Sequence, residues 1–325
     1  MRKIFIYMIG IVCAVLLYFT IESADKVFRS DWQLPRISAD NQAKHRLVLI
    51  TQELDTPFWE KVGVGALDEA KKNDASMEVW GSYGKNQEDF LKRIEIAIHS
   101  KVDGIIVQGL DTDDFKSLTK IKAAFYGIPI ITVANDVPMV ESQRRTYVGS
   151  DQYLAGQMIA RQLLSDLGKS GRVIMIGDNR EEYYQKQRLK GIRNLLDGYP
   201  DIQTEYAVTP DAREQVIATT QGLMNRLPNV DAFVAVNANI AGAMIQEIGR
   251  RSQVKLYHIY SFDDGTETLS LLKKGRLSGI IQQSPEQMGR QSVKLMIEWL
   301  NGETIPLHPD GYFTEIQMLK ATDVR

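Results

Sequence analysis

From His45 to near its carboxyl terminus the chain alternates short runs rich in β-branched residues with longer stretches of helical periodicity. Few folds accept that alternation. The strand candidates are Arg46–Thr51, Met77–Trp80, Gly104–Gln108, Pro129–Val133, Thr146–Gly149, Arg172–Gly177, Ala232–Val236, Leu256–Ser261 and Gly279–Gln282. Between them, apolar residues recur every three or four positions. Phe90, Ile94 and Ile98 follow Asn86, a helix-capping residue; Leu154, Met158, Ile159, Leu163 and Leu164 share a side of 151–167; Met288, Val293, Met296 and Leu300 recur through 285–300. Strands alternating with helices predict parallel sheets covered by helices on both faces. So many strands exceed one small sheet, and 325 residues suit two lobes. The predicted fold is therefore α/β, with two doubly wound parallel-sheet lobes.

Composition narrows the function classes. A formal net charge of -2 provides no global field for nucleic acid, and no nucleic-acid partner is expected. Cys13 is the single cysteine, so no disulfide forms within the chain. His45, His99, His258 and His308 show no metal-ligand spacing. Gly63, Gly65 and Gly84 make neither a Walker pattern nor a dinucleotide fingerprint. No metal and no cofactor are expected.

The first segment sets the expected address. Ile4 to Ile21 is an uncharged run of 18 residues, near the length that crosses a bilayer. Arg2 and Lys3 precede it, and Glu22 and Asp25 follow, so the remainder of the chain is expected outside the cytoplasm. A cleaved signal peptide needs small residues at its exit site, and Glu22 is a poor partner for Ala24. A lipoprotein needs a small residue before its cysteine, but Val12 precedes Cys13 and the apolar run continues beyond. The preferred reading is an uncleaved single-pass anchor over residues 1–21. Residues 22–44 are then a tether that holds the domain off the cell membrane.

In open parallel sheets ligands bind beyond the carboxyl ends of the strands. There the chain places Thr56-Pro57-Phe58-Trp59, then Asp111, Asp113 and Asp114, then Ala134-Asn135-Asp136, Asp178-Asn179-Arg180, Asn237, Phe262-Asp263 and Gln283. This set suits carbohydrate. Planar carboxylates and amides can each bond two neighbouring hydroxyls, and aromatic rings cover the apolar faces of a sugar. Each residue also has a plainer reading. Asp and Asn cap helices and form turns, and one of Phe58 and Trp59 could serve the core alone. The three aspartates at 111–114 read first as a solvated helix start. A catalytic reading of Ser261, Asp263 and His258 is rejected, because strand alternation points His258 away from the strand ends. The chain is read as a binding protein, not an enzyme.

From about residue 45 onward the chain resembles the ribose- and galactose-binding branch of the type I periplasmic binding proteins, whose sugar-binding core is shared with the lactose-repressor family. Thr56-Pro57-Phe58-Trp59 is similar to the family's Asn-Pro-Phe-Phe segment, whose aromatics sandwich the sugar. Val148-Gly149-Ser150-Asp151 resembles the first lobe crossover, and Gln187-Arg188-Leu189-Lys190-Gly191-Ile192 the Arg-x-x-Gly-Phe helix start. Asn237 and Phe262-Asp263 stand where the family has a sugar-binding Asn and Asp. Gln283-Ser284-Pro285, with Gln287 and Gly289, resembles the segment that ends the second lobe.

The resemblance implies two lobes, 45–149 plus 284–310 and 150–283 plus 311–325, joined by a three-strand hinge with crossovers near 149–151, 283–285 and 308–312. It implies ligand contacts from Phe58, Trp59, Asn135 and Asp136 in the first lobe and from Lys186, Arg188, Asn237 and Asp263 in the second, with Gln283 at the hinge. The ligand it implies is a small sugar, pentose or hexose. Departures at Thr56, Ala134, Asn135 and Lys186 argue against binding in the ribose manner. A membrane sensor kinase is the expected reader of the closed form, and the permease of an ABC importer is the alternative. No helix-turn-helix precedes the core, which removes a transcription regulator.

Overall fold

A computed structural model describes residues 15–20, 44–84, 86–180, 182–251, 256–263 and 265–324. The chain divides into two compact units, Met1–Gln42 and Ala43–Arg325. In the first, residues 15–20 are helical. The rest of the expected anchor and nearly all of the tether lie outside the described residues. Among the described residues no helix is long and apolar enough to cross a membrane.

The second unit contains two sheets. In the first, β1 (Arg46–Thr51), β2 (Ser76–Gly81), β3 (Gly104–Gln108), β4 (Ile130–Val133) and β5 (Thr146–Gly149) lie in the order β2-β1-β3-β4-β5. In the second, β6 (Gly171–Asp178), β7 (Ile202–Thr209), β8 (Ala232–Ala235), β9 (His258–Phe262) and β10 (Gly279–Gln282) lie in the order β7-β6-β8-β9-β10. The pairings within both sets are parallel. The two orders correspond strand for strand, so the lobes share one topology.

Strand composition follows burial. Leu47 and Leu49 of β1 join the core on one face of the first sheet, while Val48 and Ile50 join the core on the other. Val173 and Met175 of β6 divide from Ile174 and Ile176 in the same way. Successive side chains point to opposite faces, and with both faces covered the strand reads as a continuous apolar run. β7 is different. It sits at a sheet edge with most of its residues exposed or half-buried, and its sequence, IQTEYAVT, carries no such run. That is why the strand pattern passes over it.

The chain crosses between the sheets at 150–151 and again at 283–284. The third crossover lies later than expected. β11 (Tyr312–Phe313) pairs with Val148 and Gly149 as a sixth strand of the first sheet, and the Thr314 N–H donates to the Gly149 carbonyl at 2.8 Å. β12 (Gln317–Leu319) then runs antiparallel to β10 in the second sheet. The passage is therefore at 314–316, and residues 312–313 belong with the first lobe. Two residues of β-ladder decide this, too short a run for a pattern in the sequence to mark.

Candidate functional site

The carboxyl ends of both sheets face one cleft of about 600 Å³. On the first lobe, Thr56 caps the helix Pro57–Lys72: its hydroxyl accepts the Trp59 N–H at 3.4 Å, and Pro57 occupies the first turn, where no donor is needed. This cap sets Phe58 and Trp59 at the cleft, edge to face with ring centroids 5.6 Å apart. Trp59 is buried and also packs in the lobe core, whereas Phe58 is half-buried. Gln52 and Gln108 add amides. Gln108 Oε1 accepts from the Thr51 hydroxyl at 2.8 Å and from the Gln52 N–H at 2.9 Å, which fixes the amide at the strand ends.

The second lobe supplies the charges. Arg188 is 3% exposed. Its Nε donates to Gln152 Oε1 at 2.8 Å and its Nη1 to the Val236 carbonyl at 2.8 Å. Its guanidinium carbon lies 4.0 Å from the Phe262 ring centroid and 4.8 Å from that of Tyr184. Held on these sides, it sets Nη2 3.9 Å from Asp263 Oδ1. Gln283 Nε2 donates to the same carboxylate in a short contact. Asn237 Nδ2 donates to the Tyr184 hydroxyl oxygen at 3.1 Å and reaches the buried Asp178 at 3.4 Å. Asp178 also accepts from Arg180 Nη2 at 2.8 Å. Burial opposes the Arg180 charge, but the Asp178 bond and the nearby Glu182 outweigh it and hold the proton more firmly than usual. Burial, reinforced by Glu182, pushes the Tyr184 phenol well up, so it remains a neutral hydroxyl.

The hinge is wired into this site. Gln283 Oε1 accepts from the Ser150 hydroxyl at 2.5 Å and from Gln152 Nε2 at 3.4 Å. Residues at the first two crossovers thus touch the side chains that hold Asp263 and Arg188.

Phe58, Trp59, Asn135, Arg188, Asn237, Asp263 and Gln283 all line the cleft. Asp136 and Lys186, the other two expected contacts, lie outside that lining. Asp136 accepts from Arg144 Nε at 2.6 Å and Nη2 at 2.8 Å and from the Thr132 hydroxyl at 2.7 Å. Arg144 in turn donates to the Pro309 carbonyl at 2.8 Å. This buried pair ties the loop after β4 to the segment that leads into β11. Lys186 lies on the outer rim against Asp111, 3.4 Å away. Gln52, Gln108, Gln152, Glu182 and Tyr184, which are not among the expected contacts, also line the cleft, as does Arg180, which the strand-end pattern places beyond β6. Gln52 and Gln108 stand at strand ends, a signal that marks them. Gln152, Glu182 and Tyr184 belong to helix starts, and contacts within the second lobe, from Arg188 to Gln152 and Tyr184 and from Asn237 to Tyr184, set two of them at the cleft.

The arrangement combines carboxylate acceptors, guanidinium and amide donors and aromatic faces in one enclosed space. That is the chemistry of a neutral, hydroxyl-rich ligand. Ser261 donates to the Phe262 carbonyl at 3.3 Å, and the His258 ring lies 3.9 Å from Asp166, so the two are not paired.

The chain is 23% identical over 274 residues to the ribose import binding protein RbsB of Bacillus subtilis, covering 84% of this chain and 87% of that protein. It matches the solved structure of GanP, a glucose-galactose binding protein from Geobacillus stearothermophilus, with a TM-score of 0.79 and 27% identity, over 86% of this chain and 98% of that one. XylFII in its complex with LytSN matches with a TM-score of 0.74 and 25% identity, over 86% of this chain and 99% of that one. The family model described as periplasmic binding protein domain matches residues 47–304. With that model spanning most of the chain, and both sheets and the interlobe cleft in place, the chain belongs to the periplasmic binding protein domain family.

Proposed function

We propose that this chain captures a small neutral sugar, pentose or hexose, on the extracytoplasmic side of the cell membrane, and that a membrane sensor partner reads its closed form. The observation that carries the reading is the Arg188–Asp263–Asn237 constellation, which reaches the hinge through Gln283 and stands opposite Phe58. Ligand bridging both lobes favours closure by its differential affinity for the closed form. The relatives support the ligand class, since their names state ribose and glucose-galactose binding. The uncharged run Ile4 to Ile21 supports a single-pass anchor, and an anchored protein can pair laterally with a membrane partner. A neighbour of the same fold is seated in a complex with another protein, LytSN.

A second reading, delivery of the sugar to the permease of an ABC importer, is favoured by the import role in the name of the Bacillus relative. The readings separate on partner capture: a sensor protein co-purifies with the sugar-bound chain under the first reading, and a permease under the second.

The ligand reading is tested by a thermal-shift panel of D-ribose, D-xylose, L-arabinose, D-allose and D-galactose. A sugar at 100 times its dissociation constant stabilises the fold by about 2.7 kcal/mol. Asp263→Ala and Asn237→Ala abolish that shift while the apo transition remains cooperative. No shift from any sugar sinks the ligand class. The anchor is tested by sequencing the mature amino terminus: a start near Asp25 overturns it.

A further inference from the structure

Away from the ligand cleft, an ion pair joins the lobes. Asp111 follows β3 in the first lobe, and Lys186 lies in the helix Tyr183–Leu196 of the second, with Nζ 3.4 Å from Asp111 Oδ2. Neither residue lines the cleft. Asp111 is anchored within its own lobe. Lys116 Nζ lies 2.7 Å from its Oδ1 and 2.5 Å from Glu141 Oε2. These two contacts stay within one lobe and persist whether the lobes are open or closed. The Lys186 contact spans the lobes and breaks when they part. Burial opposes the charge on Asp111, but Lys116 and then Lys186 overcome it and hold the carboxyl below its ordinary range. Opening therefore leaves a charged, oriented Asp111 waiting for its partner.

We propose that Asp111 and Lys186 form an interlobe latch that favours closure independently of the ligand and so tunes the affinity of the cleft. A contact present only in the closed form contributes its whole free energy to the open–closed equilibrium. The Lys186 side chain is 56% exposed, so the effect is that of a surface pair, about two- to fivefold, and salt screens it. While the ligand-free chain is mainly open, the same factor appears in the apparent affinity. Only this affinity arm rests on the proposed sugar binding.

The test measures closure first without ligand. Nitroxide labels replace Glu88 and Glu214, exposed residues in the first turns of the helices Gln87–His99 and Arg213–Arg226, in the full-length chain carrying Cys13→Ser. Both helices leave the cleft ends of equivalent edge strands, so opening lengthens the distance between the labels. Lys186→Met lowers the ratio of short to long distances two- to fivefold, Lys186→Glu lowers it further, and Lys186→Arg preserves it. Raising salt to about 0.5 M does to the parent what Lys186→Met does. In the second arm, whichever of D-ribose, D-xylose, L-arabinose, D-allose and D-galactose binds shows a dissociation constant raised by the same factor in Lys186→Met. An unchanged distance ratio in Lys186→Met overturns the latch. Weaker sugar binding with an unchanged ratio also overturns it and assigns Lys186 to the ligand instead. If none of the five sugars binds, the proposed function fails while the ligand-free ratios still decide the latch.

Discussion

Asp263 and Asp136 are carboxylates just past equivalent strands, and their neighbours give them opposite duties. Asp263 follows β9 with φ 68° and turns toward Arg188 and Gln283 at the cleft. Ala134 follows β4 with φ 62°, and its N–H donates to Val148 as that of Asp263 donates to Ile281. The first lobe therefore repeats the backbone and replaces the carboxylate by a methyl group. Asp136, two residues later, is bonded to Arg144 instead. Removing one member of a buried pair leaves the other charge uncompensated, at about 3 kcal/mol. Asp136→Ala should thus lower stability by that order in urea unfolding and leave sugar affinity per folded molecule near the parent value. Asp263→Ala should do the reverse. Equal loss of binding in both variants would return Asp136 to the site. The carboxylates look alike in the sequence because Arg144 meets Asp136 only after the chain has turned through 137–143.

At the scale of elements, glycines set how closely helices approach. A Cβ on Gly65 would collide with the Glu286 carbonyl oxygen, and one on Gly289 with that of Val62, where helices Pro57–Lys72 and Pro285–Leu300 meet. Gly156 and Gly191 meet the Arg188 and Tyr153 carbonyls in the second lobe in the same way. Gly191 thereby seats the helix that carries Arg188. Alanine in an exposed helix would gain about 1 kcal/mol over glycine. At these contacts the helices must separate, which costs about 1–3 kcal/mol. Gly289→Ala and Gly191→Ala should both lower the unfolding midpoint in calorimetry, and Gly191→Ala should also weaken sugar binding by displacing Arg188. A raised midpoint would show that the helix contacts yield. Helix existence was legible from apolar spacing. The edge strand β7 was not, because an exposed strand needs no apolar run.

At the scale of the molecule, two lobes of one topology are joined by three passages, and the side chains at the first two reach the ligand space. Gln283 contacts Ser150, Gln152 and Asp263 at once. Losing these bonds at about 1 kcal/mol each should lower the unfolding midpoint of Gln283→Ala, and because Gln283 lines the cleft and holds Asp263, sugar binding should also weaken roughly tenfold by calorimetry. Affinity equal to the parent would show that the hinge and the site are independent. The strand–helix alternation by itself determined two α/β lobes, because apolar runs of that length must be buried on both faces of a sheet. Strand-end position likewise marked Phe58, Asn237 and Asp263, since a parallel sheet puts its ligands beyond those ends. Only the tertiary structure decided that Asp136 is a strut, that Lys186 bridges the rim, that Gln152 and Tyr184 enter the cleft, and that β11 returns to the first sheet. Each of these depends on which groups meet across a turn, between elements of one lobe or between lobes, and such meetings leave no periodic trace along the chain.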